Sequence, residues 1–417
     1  MDRFIIEGNR NLKGSIEVSG AKNAILPAMA ACLLAPGKSV LRNVPDLIDL
    51  KTMAHVLRVL GARVEHSRGT MTIDSRDICF NEAPYELVSK MRASIYVLGP
   101  LLARLGEARV SFPGGCAIGT RPVDLHLKAM EALGANIDIE HGYIHAQAEK
   151  LTGGEIHFAK SSVGATINAL MAAVFASGTT RIFNAAMEPE VDSTIDLLNK
   201  MGARISGKGG SSLTIEGVEN LFPIEMAMIP DRIEAGTFLI AGALSTEPVT
   251  VQNCQPEHLT VLLEKMRAAG CELETGETSI KVIPPSRIQP VNILTLPYPG
   301  FPTDLQAQFT VLMSLADGVS FIEDTVFPER FMHVAELNRL QANIRLERNI
   351  ATVRGVSSLS GAEVMATDLR ASAALVLAGM VAKGTTVVSR IYHIDRGYDR
   401  IEDKLNGIGA RITRELA

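Results

Sequence analysis

The segment Leu60-Gly61-Ala62-Arg63-Val64 decides the fold, because it is the first of six copies of one short motif. Successive copies lie 73, 68, 68, 71 and 68 residues apart. A period that is nearly fixed indicates a repeat architecture. The other five copies read Leu133-Gly134-Ala135-Asn136-Ile137, Met201-Gly202-Ala203-Arg204-Ile205, Ala269-Gly270-Cys271-Glu272-Leu273, Leu340-Gln341-Ala342-Asn343-Ile344 and Ile408-Gly409-Ala410-Arg411-Ile412.

Each copy predicts the point where a helix ends and a strand begins. Five of the copies place glycine after an apolar helical segment, and glycine readily takes the left-handed conformation that closes a helix. The fifth copy has Gln341 at that position. The motif therefore predicts six repeats that share one order of helices and strands.

The sixth repeat shows that order most clearly. Asp368 is expected to cap a first helix that starts at Leu369, and the β-branched run 385–388 is a predicted strand. A loop over 391–398 then leads to a second helix that ends at Gly409. The first helix of each repeat is apolar all round, as in 165–173, so we expect these helices to be buried with the sheets outside.

The two ends of the chain indicate how the repeats are grouped. Repeats one to five finish with a pair of strands, whereas the sixth stops after one. Two strand-like segments at 4–7 and 12–19 are therefore expected to complete the last repeat. The resulting prediction is an α/β protein with six βαβαββ-type repeats in two domains, residues 21–229 and residues 1–20 plus 230–417, with hinges near 20 and 230.

Composition excludes several classes of function. The chain of 417 residues has 41 Lys and Arg against 46 Asp and Glu, so it lacks the basic surplus of a nucleic-acid binder. Its five cysteines form no CxxC pair, which argues against a zinc site or a disulfide framework. The longest apolar run, residues 24–35, has 12 residues, whereas a membrane span needs about 20. With no signal-like segment at its start, the sequence predicts a soluble, cytoplasmic protein with no membrane or nucleic-acid partner.

Unusual polar residues open the first helix of each repeat. Buried helix N-termini bring together unpaired N–H groups and partial positive charge, which favours bound phosphate or carboxylate. Arginines at these positions gain nothing from the helix dipole and strengthen the preference for an anion. The alternative is that the arginines only pair with Asp231, Asp304 or Asp368. The residues in question are Lys22-Asn23, Arg92, Lys160 to Gly164, Asp231-Arg232, Asp304, and Asp368 with Arg370.

A second polar set lies in the loop before the second helix. In repeat two this loop runs from Pro113 to His126 and places three glycines around Cys116; Arg330 and Arg396 occupy the corresponding loops of repeats five and six. The glycine setting favours a mobile, functional loop, but a lone cysteine is more often an inert apolar residue. His126 alone is read as a packing or capping residue.

These residues resemble the enolpyruvyl transferase family, and within it the UDP-N-acetylglucosamine 1-carboxyvinyltransferases of peptidoglycan precursor synthesis. The similarity extends over essentially the whole chain. It implies a fold of two inverse α/β barrels of three repeats each, with the substrates bound between them. The most specific segments are 19–24, 91–94, 113–126, 301–306, 366–372 and 393–398.

The resemblance also implies roles for individual residues, with Cys116, Asp304, Lys22 and Arg396 as the catalytic set. Cys116 would be the proton donor and the residue that fosfomycin alkylates, and Asp304 would be the base for the sugar hydroxyl. Neither a metal nor an organic cofactor is implied. Phosphoenolpyruvate would be held by Lys22, Asn23, Arg121, Arg330, Arg370 and Arg396. UDP-N-acetylglucosamine would be held by Asn23, Arg92, Arg121, Pro122, Val123, Asp124, Leu125, Lys160, Ser161, Ser162, Val163, Gly164, Asp304 and Val326.

Two competing functions stay open at the level of sequence. The sister enzyme that acts on shikimate 3-phosphate shares the fold and the basic residues, but it has no equivalent of the Cys116 loop. A non-catalytic repeat scaffold or ring clamp would spread its basic residues along one face. Ile48 departs from some relatives, which carry lysine at this position, so no ligand role is assigned to it. Asp304, read as a helix cap, would contribute about 1 kcal/mol to stability.

Overall fold

The computed structural model describes residues 2–89, 91–112 and 123–416. The described chain divides into two compact units. Unit A contains residues 20–112 and 123–229, and unit B contains residues 2–19 and 230–416. Each unit has its own hydrophobic core, so each can be described by itself.

Unit A contains the first three repeats. Its α-helices are α1 (Lys22–Ala31), α2 (Ile48–Val59), α3 (Tyr85–Val88), α4 (Leu98–Leu105), α5 (Asp124–Ala132), α6 (Val163–Ala173) and α7 (Pro189–Lys200). Its strands, numbered after β1 and β2 of unit B, are β3 (Lys38–Arg42), β4 (Arg63–Ser67), β5 (Thr70–Asp74), β6 (Glu82–Ala83), β7 (Glu107–Ser111), β8 (Asn136–Glu140), β9 (Tyr143–Gln147), β10 (Glu155–His157), β11 (Thr179–Phe183), β12 (Arg204–Ser206), β13 (Ser212–Glu216) and β14 (Glu225–Ala227).

Unit B contains the N-terminal strands and the last three repeats. Its α-helices are α8 (Arg232–Leu244), α9 (Thr260–Ala268), α10 (Gln306–Met313), α11 (Met332–Arg339), α12 (Leu369–Val381) and α13 (Ile401–Gly407). Its strands are β1 (Arg3–Glu7), β2 (Gly14–Glu17), β15 (Val249–Gln252), β16 (Glu272–Thr275), β17 (Ser279–Ile283), β18 (Ile293–Thr295), β19 (Val319–Asp324), β20 (Asn343–Glu347), β21 (Ile350–Arg354), β22 (Glu363–Met365), β23 (Thr385–Ser389) and β24 (Ile412–Glu415).

All the sheets of the described chain are variants of one four-stranded design. An edge strand pairs in parallel with the strand that follows the first helix, and two antiparallel strands complete the sheet. The strand orders are β14-β3-β5-β4, β6-β7-β9-β8 and β10-β11-β13-β12 in unit A, and β2-β15-β17-β16, β18-β19-β21-β20 and β22-β23-β1-β24 in unit B. The prediction of an α/β fold built from six repeats is confirmed.

The N-terminal strands complete unit B in two places. Strand β1 lies between β23 and β24, so it supplies the strand that the sixth repeat lacks. Strand β2 instead pairs in parallel with β15 of the fourth repeat. In unit A, β14 joins β3 of the first repeat in the same way. The second strand of each repeat's final pair thus joins the sheet of another repeat in the same unit. The expectation that both N-terminal strands complete the sixth repeat is therefore wrong for β2.

The first helix of each repeat forms the interior, as predicted. In α8 and in α12, every residue except the first is buried. Helix α10 packs against both α8 and α12 in unit B, and α4 packs against α6 in unit A. The strands alternate buried and more exposed residues, as β3 and β13 show, because one face of each sheet covers these helices. The helices are therefore inside each unit and the sheets outside.

The repeated motif closes the second helix in all six repeats. The second residue after each helix has a positive φ, from 90° to 109° in the five glycines and 66° in Gln341. The next residue then donates its N–H to a carbonyl five positions earlier, as Ala62 does to Leu57 and Ala342 does to Leu337. This is the hydrogen bond of a Schellman cap. Gln341 therefore takes the glycine conformation without being glycine, at a cost that is about 1 kcal/mol.

Two local expectations need adjustment. The segment Ile391–Arg396, predicted as a loop, forms a 3₁₀ helix. Short 3₁₀ helices over Arg92–Val97 and Thr303–Leu305 also precede α4 and α10, so the polar residues at these positions lie on a 3₁₀ turn. Within the described residues, no helix is both long enough and apolar enough to cross a membrane.

Candidate active site

An aspartate and two buried arginines form a charged cluster in unit B. Asp304 lies on the 3₁₀ helix before α10, Arg330 precedes α11, and Arg370 is the second residue of α12. Arg330 Nη1 is 2.7 Å from Asp304 Oδ1, and Arg370 Nη2 is 3.4 Å from Oδ2. The side chains of Arg330 and Arg370 are only 7% and 4% exposed, against 28% for Asp304. We call these three residues the Asp304 cluster.

The arginines control the charge of Asp304. Burial by itself would raise the pKa of Asp304, but the charges of Arg370 and Arg330 outweigh burial and hold the pKa far below its usual range. The same attraction raises the pKa of Arg370 in spite of its burial. The alternative explanation considered for the arginines, pairing with an aspartate, thus describes Arg330 and Arg370 in this structure. Asp304 does not cap a helix here, so the estimate of its stability contribution as a cap is wrong.

A hydroxyl network supports the arginine that is most deeply buried. Arg370 Nη1 lies 3.3 Å from Tyr398 Oη, which in turn lies 2.8 Å from Thr237 Oγ1. Gln308 Nε2 donates to the backbone carbonyl of Asp304 at 3.0 Å and lies 3.2 Å from Thr237 Oγ1. Burial raises the pKa of Tyr398, so its hydroxyl stays protonated. Sequence reasoning missed Tyr398, Thr237 and Gln308, although Tyr398 belongs to the segment 393–398 that carries the resemblance.

Asp368 and Asp231, the two other aspartates considered as partners of the arginines, cap helices in unit B. Asp368 Oδ1 accepts hydrogen bonds from the N–H groups of Arg370 and Ala371 at 2.8 and 3.1 Å, which confirms the predicted cap of α12. Asp231 caps α8 in the same way. Their carboxylates therefore accept hydrogen bonds from the N-termini of these helices.

Two further predicted residues of unit B lie on connecting segments. Arg396 is the last residue of the 3₁₀ helix Ile391–Arg396 and is partly exposed. Val326 follows β19 and donates its N–H to Asp324 Oδ1 at 3.0 Å. Both residues are partly exposed.

In unit A, Lys22 forms a buried ion pair that the sequence did not reveal. Lys22 is the first residue of α1, and its Nζ lies 3.1 Å from Oδ2 of Asp49, the second residue of α2. Their side chains are 11% and 5% exposed. Asn23 follows Lys22 and is half-buried. In the sequence, the feature that could have indicated this ion pair is Asp49, which lies next to Ile48 in the first turn of the second helix. A carboxylate at that position also interacts favourably with the helix dipole.

The predicted nucleotide-binding residues of unit A lie on two helices that pack together, α5 and α6. Val123, Asp124 and Leu125 form the start of α5. The segment 160–164 leads into α6, where Ser162 Oγ accepts the N–H of Ala165 at 3.3 Å. Lys160 is exposed, and residues 161–164 are half-buried. An anion could therefore reach the N-terminus of α6. Arg92, at the start of a 3₁₀ helix, is close enough to lower the pKa of His126 on α5.

Three predicted site residues, Cys116, Arg121 and Pro122, lie outside the described residues. Of the other four cysteines, Cys79 is exposed and the rest are buried. Burial raises the pKa of Cys32 to about 12 and that of Cys254 and Cys271 to about 11. These three thiols stay protonated and unreactive at neutral pH. Among residues 2–89, 91–112 and 123–416, no cluster of three His, Cys, Asp or Glu side chains could hold a metal ion.

Comparison with known proteins identifies the family. Residues 6–405 match the family model described as EPSP synthase (3-phosphoshikimate 1-carboxyvinyltransferase). Individual proteins named UDP-N-acetylglucosamine 1-carboxyvinyltransferase are similar to this chain over its whole length. The one from Desulfosudis oleivorans is 55% identical over 99% of both chains. That of Myxococcus xanthus is 53% identical over 100% of both. The chain therefore belongs to the UDP-N-acetylglucosamine 1-carboxyvinyltransferase family. The resemblance drawn from the motifs is confirmed.

Solved structures from the wider enolpyruvyl transferase family show the same fold. The enolpyruvyl transferase NikO from Streptomyces tendae superposes with a TM-score of 0.89 at 26% identity, over 100% of this chain and 99% of that one. EPSP synthase from Acinetobacter baumannii gives a TM-score of 0.78 at 16% identity over the full length of both chains. The two-domain, inverse α/β barrel fold expected from the resemblance is confirmed.

Proposed function

We propose that the chain transfers the enolpyruvyl group of phosphoenolpyruvate to the 3-hydroxyl of UDP-N-acetylglucosamine and releases phosphate. The observation that carries this proposal is the identity above 50% over whole chains with proteins of that name. The buried cationic groups of both units suit two anionic substrates. We place the reaction at the first committed step of peptidoglycan precursor synthesis, in the cytoplasm.

The proposed site draws residues from both domains, 21–229 and 1–20 plus 230–417. Lys22, Arg121 and Arg396 would hold the phosphate of phosphoenolpyruvate, while Arg330 and Arg370 hold its carboxylate. The diphosphate and uridine would bind at the starts of α5 and α6, and Asn23, Asp304 and Val326 would contact the sugar. Binding two anionic substrates needs several cations, which Lys22 in unit A and the arginines of the Asp304 cluster in unit B would supply.

The Asp304 cluster explains how the base would be activated. With both arginines bound to it, Asp304 is too weak a base to take a proton from a sugar hydroxyl. A substrate carboxylate that binds Arg330 and Arg370 competes directly with Asp304 for their N–H groups. As these ion pairs weaken, the pKa of Asp304 rises toward its ordinary range. The carboxylate thus becomes a base only when phosphoenolpyruvate is present.

The proposed reaction is an addition followed by an elimination. The sugar 3-hydroxyl oxygen adds to C2 of phosphoenolpyruvate, its proton passes to Asp304, and C3 takes a proton from Cys116. The tetrahedral ketal then loses phosphate from C2 and a proton from C3, which restores the double bond in the product. Positioning two substrates in one cleft supplies much of the acceleration.

An assay of phosphate release tests the proposed function. Purified protein with phosphoenolpyruvate should release phosphate when UDP-N-acetylglucosamine is present, and mass spectrometry should find the enolpyruvyl ether of the sugar nucleotide. Shikimate 3-phosphate should give no release above background. Release with shikimate 3-phosphate alone, or with neither acceptor, would overturn the proposal.

Fosfomycin tests the role of Cys116 separately. The wild-type protein should gain the mass of one inhibitor molecule, and Cys116→Ser should gain none and turn over poorly. Cys79→Ser is the matched control, since Cys79 is exposed but lies in no proposed site. Labelling that persists in Cys116→Ser and disappears in Cys79→Ser would contradict the assignment.

A further inference from the structure

His126 is a buried imidazole whose Nε2 makes no hydrogen bond to the residues that the structure describes. The residue is 4% exposed, and within the described residues its ring makes one hydrogen bond, in which Nδ1 lies 3.0 Å from Nδ2 of Asn168. The other nitrogen, Nε2, faces Gly164 in the first turn of α6. A Cβ atom built on Gly164 would lie 3.0 Å from Cε1 of the ring and 3.1 Å from Nε2. Because Cα–Cβ bonds tilt toward the start of a helix, the ring lies toward the N-terminal end of α6.

Asn168 determines which nitrogen of His126 carries the proton. The N–H of Gly99 donates to Asn168 Oδ1 at 2.9 Å, and this backbone group can only donate. Nδ2 of Asn168 is therefore the amide nitrogen, and it donates to the carbonyl of Ile95 at 2.8 Å and toward His126 Nδ1. An Nδ1 atom that accepts a hydrogen bond carries no proton, so the proton of the neutral ring is on Nε2.

The ring stays neutral under ordinary conditions. Burial is the main cause that lowers the pKa of His126 to about 4, and the nearby charge of Arg92 lowers it further, while Asp124 opposes both. His126 therefore presents a neutral N–H donor, Nε2–H, beside the start of α6.

The start of α6 offers further donors at the same place. Ser162 Oγ accepts the N–H of Ala165, and the carbonyl of Ser162 accepts that of Thr166. The N–H groups of Val163 and Gly164 come first in the helix, so no helical carbonyl precedes them to accept their hydrogen bonds. A helix N-terminus of this kind favours a phosphate group.

We propose that Nε2–H of His126 donates a hydrogen bond to the diphosphate of the sugar nucleotide, and that Asn168 is the positioning residue that keeps this proton on Nε2. This inference rests on the proposed function, because the diphosphate is that of the proposed substrate. Gly164 is then required for a steric reason, since a side chain there would occupy the space of the ring. His126 thus contributes to substrate affinity as well as to packing.

Two variants distinguish the effect of the Nε2–H donor of His126 from the effect of the imidazole ring as a whole. His126→Asn keeps an acceptor at the position of Nδ1 but places no atom at the position of Nε2, whereas His126→Gln can place an N–H donor there. A hydrogen bond to a charged group contributes enough that its loss weakens binding by about tenfold or more. Calorimetry with UDP and with UDP-N-acetylglucosamine should therefore give a Kd about tenfold higher for His126→Asn, and a Kd within about threefold of wild type for His126→Gln. The KM for phosphoenolpyruvate should change little in either variant.

Nitrogen NMR tests the part played by Asn168. In the wild-type protein, Nδ1 of His126 should have the shift of an unprotonated nitrogen and Nε2 that of a protonated one. Asn168→Asp cannot donate to Nδ1, so the proton should move to Nδ1 or the ring should become doubly protonated. An Nδ1-protonated neutral ring in the wild-type protein would contradict the proposal.

The binding results distinguish the possible failures. If His126→Asn binds UDP as tightly as wild type, or if both variants weaken binding equally while thermal melts show them folded, the donor role is wrong. If the wild-type protein itself binds neither UDP nor UDP-N-acetylglucosamine, the proposed function fails instead. Recovery by His126→Gln together with the loss in His126→Asn would support the inference.

Discussion

Replacing Asp304 by asparagine should destabilise unit B considerably, because it leaves two buried guanidinium groups without their counter-charge. Arg330 and Arg370 are both more than nine-tenths buried and both pair with the Asp304 carboxylate. Removing one partner of a buried ion pair costs about 3–5 kcal/mol. Asp304 itself is 28% exposed, so solvent compensates part of the loss and the lower end applies, about 3 kcal/mol in the free energy of unfolding.

Urea denaturation at neutral pH measures this difference, with Asp196→Asn as the matched control. Asp196 pairs with Lys208 at the surface, where both side chains are 47% exposed, and its loss should leave the unfolding midpoint almost unchanged. Inorganic phosphate should stabilise Asp304→Asn more than wild type, since an anion could replace the missing carboxylate between the arginines.

The pH dependence of stability has a definite sign. The pKa of Asp304 is lower in the folded than in the unfolded protein, so its contribution is fully present above about pH 4 and is lost as the pH falls further. The difference in stability between wild type and Asp304→Asn should therefore be constant at neutral pH and shrink below about pH 4. An Asp304→Asn protein as stable as wild type at pH 7 would refute the assignment of this cluster as a buried, coupled charge centre.

Three other substitutions test separate parts of the structure. Gln341→Gly should raise the free energy of unfolding by about 1 kcal/mol by relieving a positive φ, and Gly202→Ala should lower it by a similar amount; chemical denaturation measures both. Burial lowers the pKa of His333 to about 4, so the wild-type protein should lose stability as the pH falls from about 6.5 to 4. In His333→Gln the loss in the free energy of unfolding over this range should be smaller by about 3 kcal/mol. An unchanged pH profile of the variant would contradict this. Asp49→Asn should lower kcat/KM at least about tenfold by releasing Lys22 from its buried partner, whereas steady-state kinetics like those of wild type would show that the ion pair only stabilises the fold.

The repeat motif made most of the fold predictable from sequence. Six helix ends at a near-constant spacing predict six units, and the Schellman caps at these positions confirm the reading even at Gln341. The place of β2 could not be predicted in the same way. A strand of four residues has too little pattern to specify its partner, and β2 pairs with a strand more than 230 residues away in sequence.

The candidate site was predictable by residue type but not by pairing. The sequence indicated Asp304 and Arg370 because charged residues at the start of buried helices are unusual, and it indicated Arg330 as part of the loop before a second helix. Whether the arginines bind an external anion or an internal carboxylate depends on distances of a few ångströms, which no spacing encodes. The same limit applies to Asp49 and Asn168, whose importance comes from side chains far away in sequence.

A crystal structure with UDP-N-acetylglucosamine and phosphoenolpyruvate or its phosphate product bound tests the central claim most directly. The claim is the proposal that residues of both units bind the two substrates. The expected electron density has the diphosphate at the start of α6, the phosphate or carboxylate of the second ligand within hydrogen-bonding distance of Lys22, Arg370 and Arg396, and Asp304 beside the sugar 3-hydroxyl. Ligands that contact residues of one unit only, with Asp304 still bound to both arginines, would contradict it.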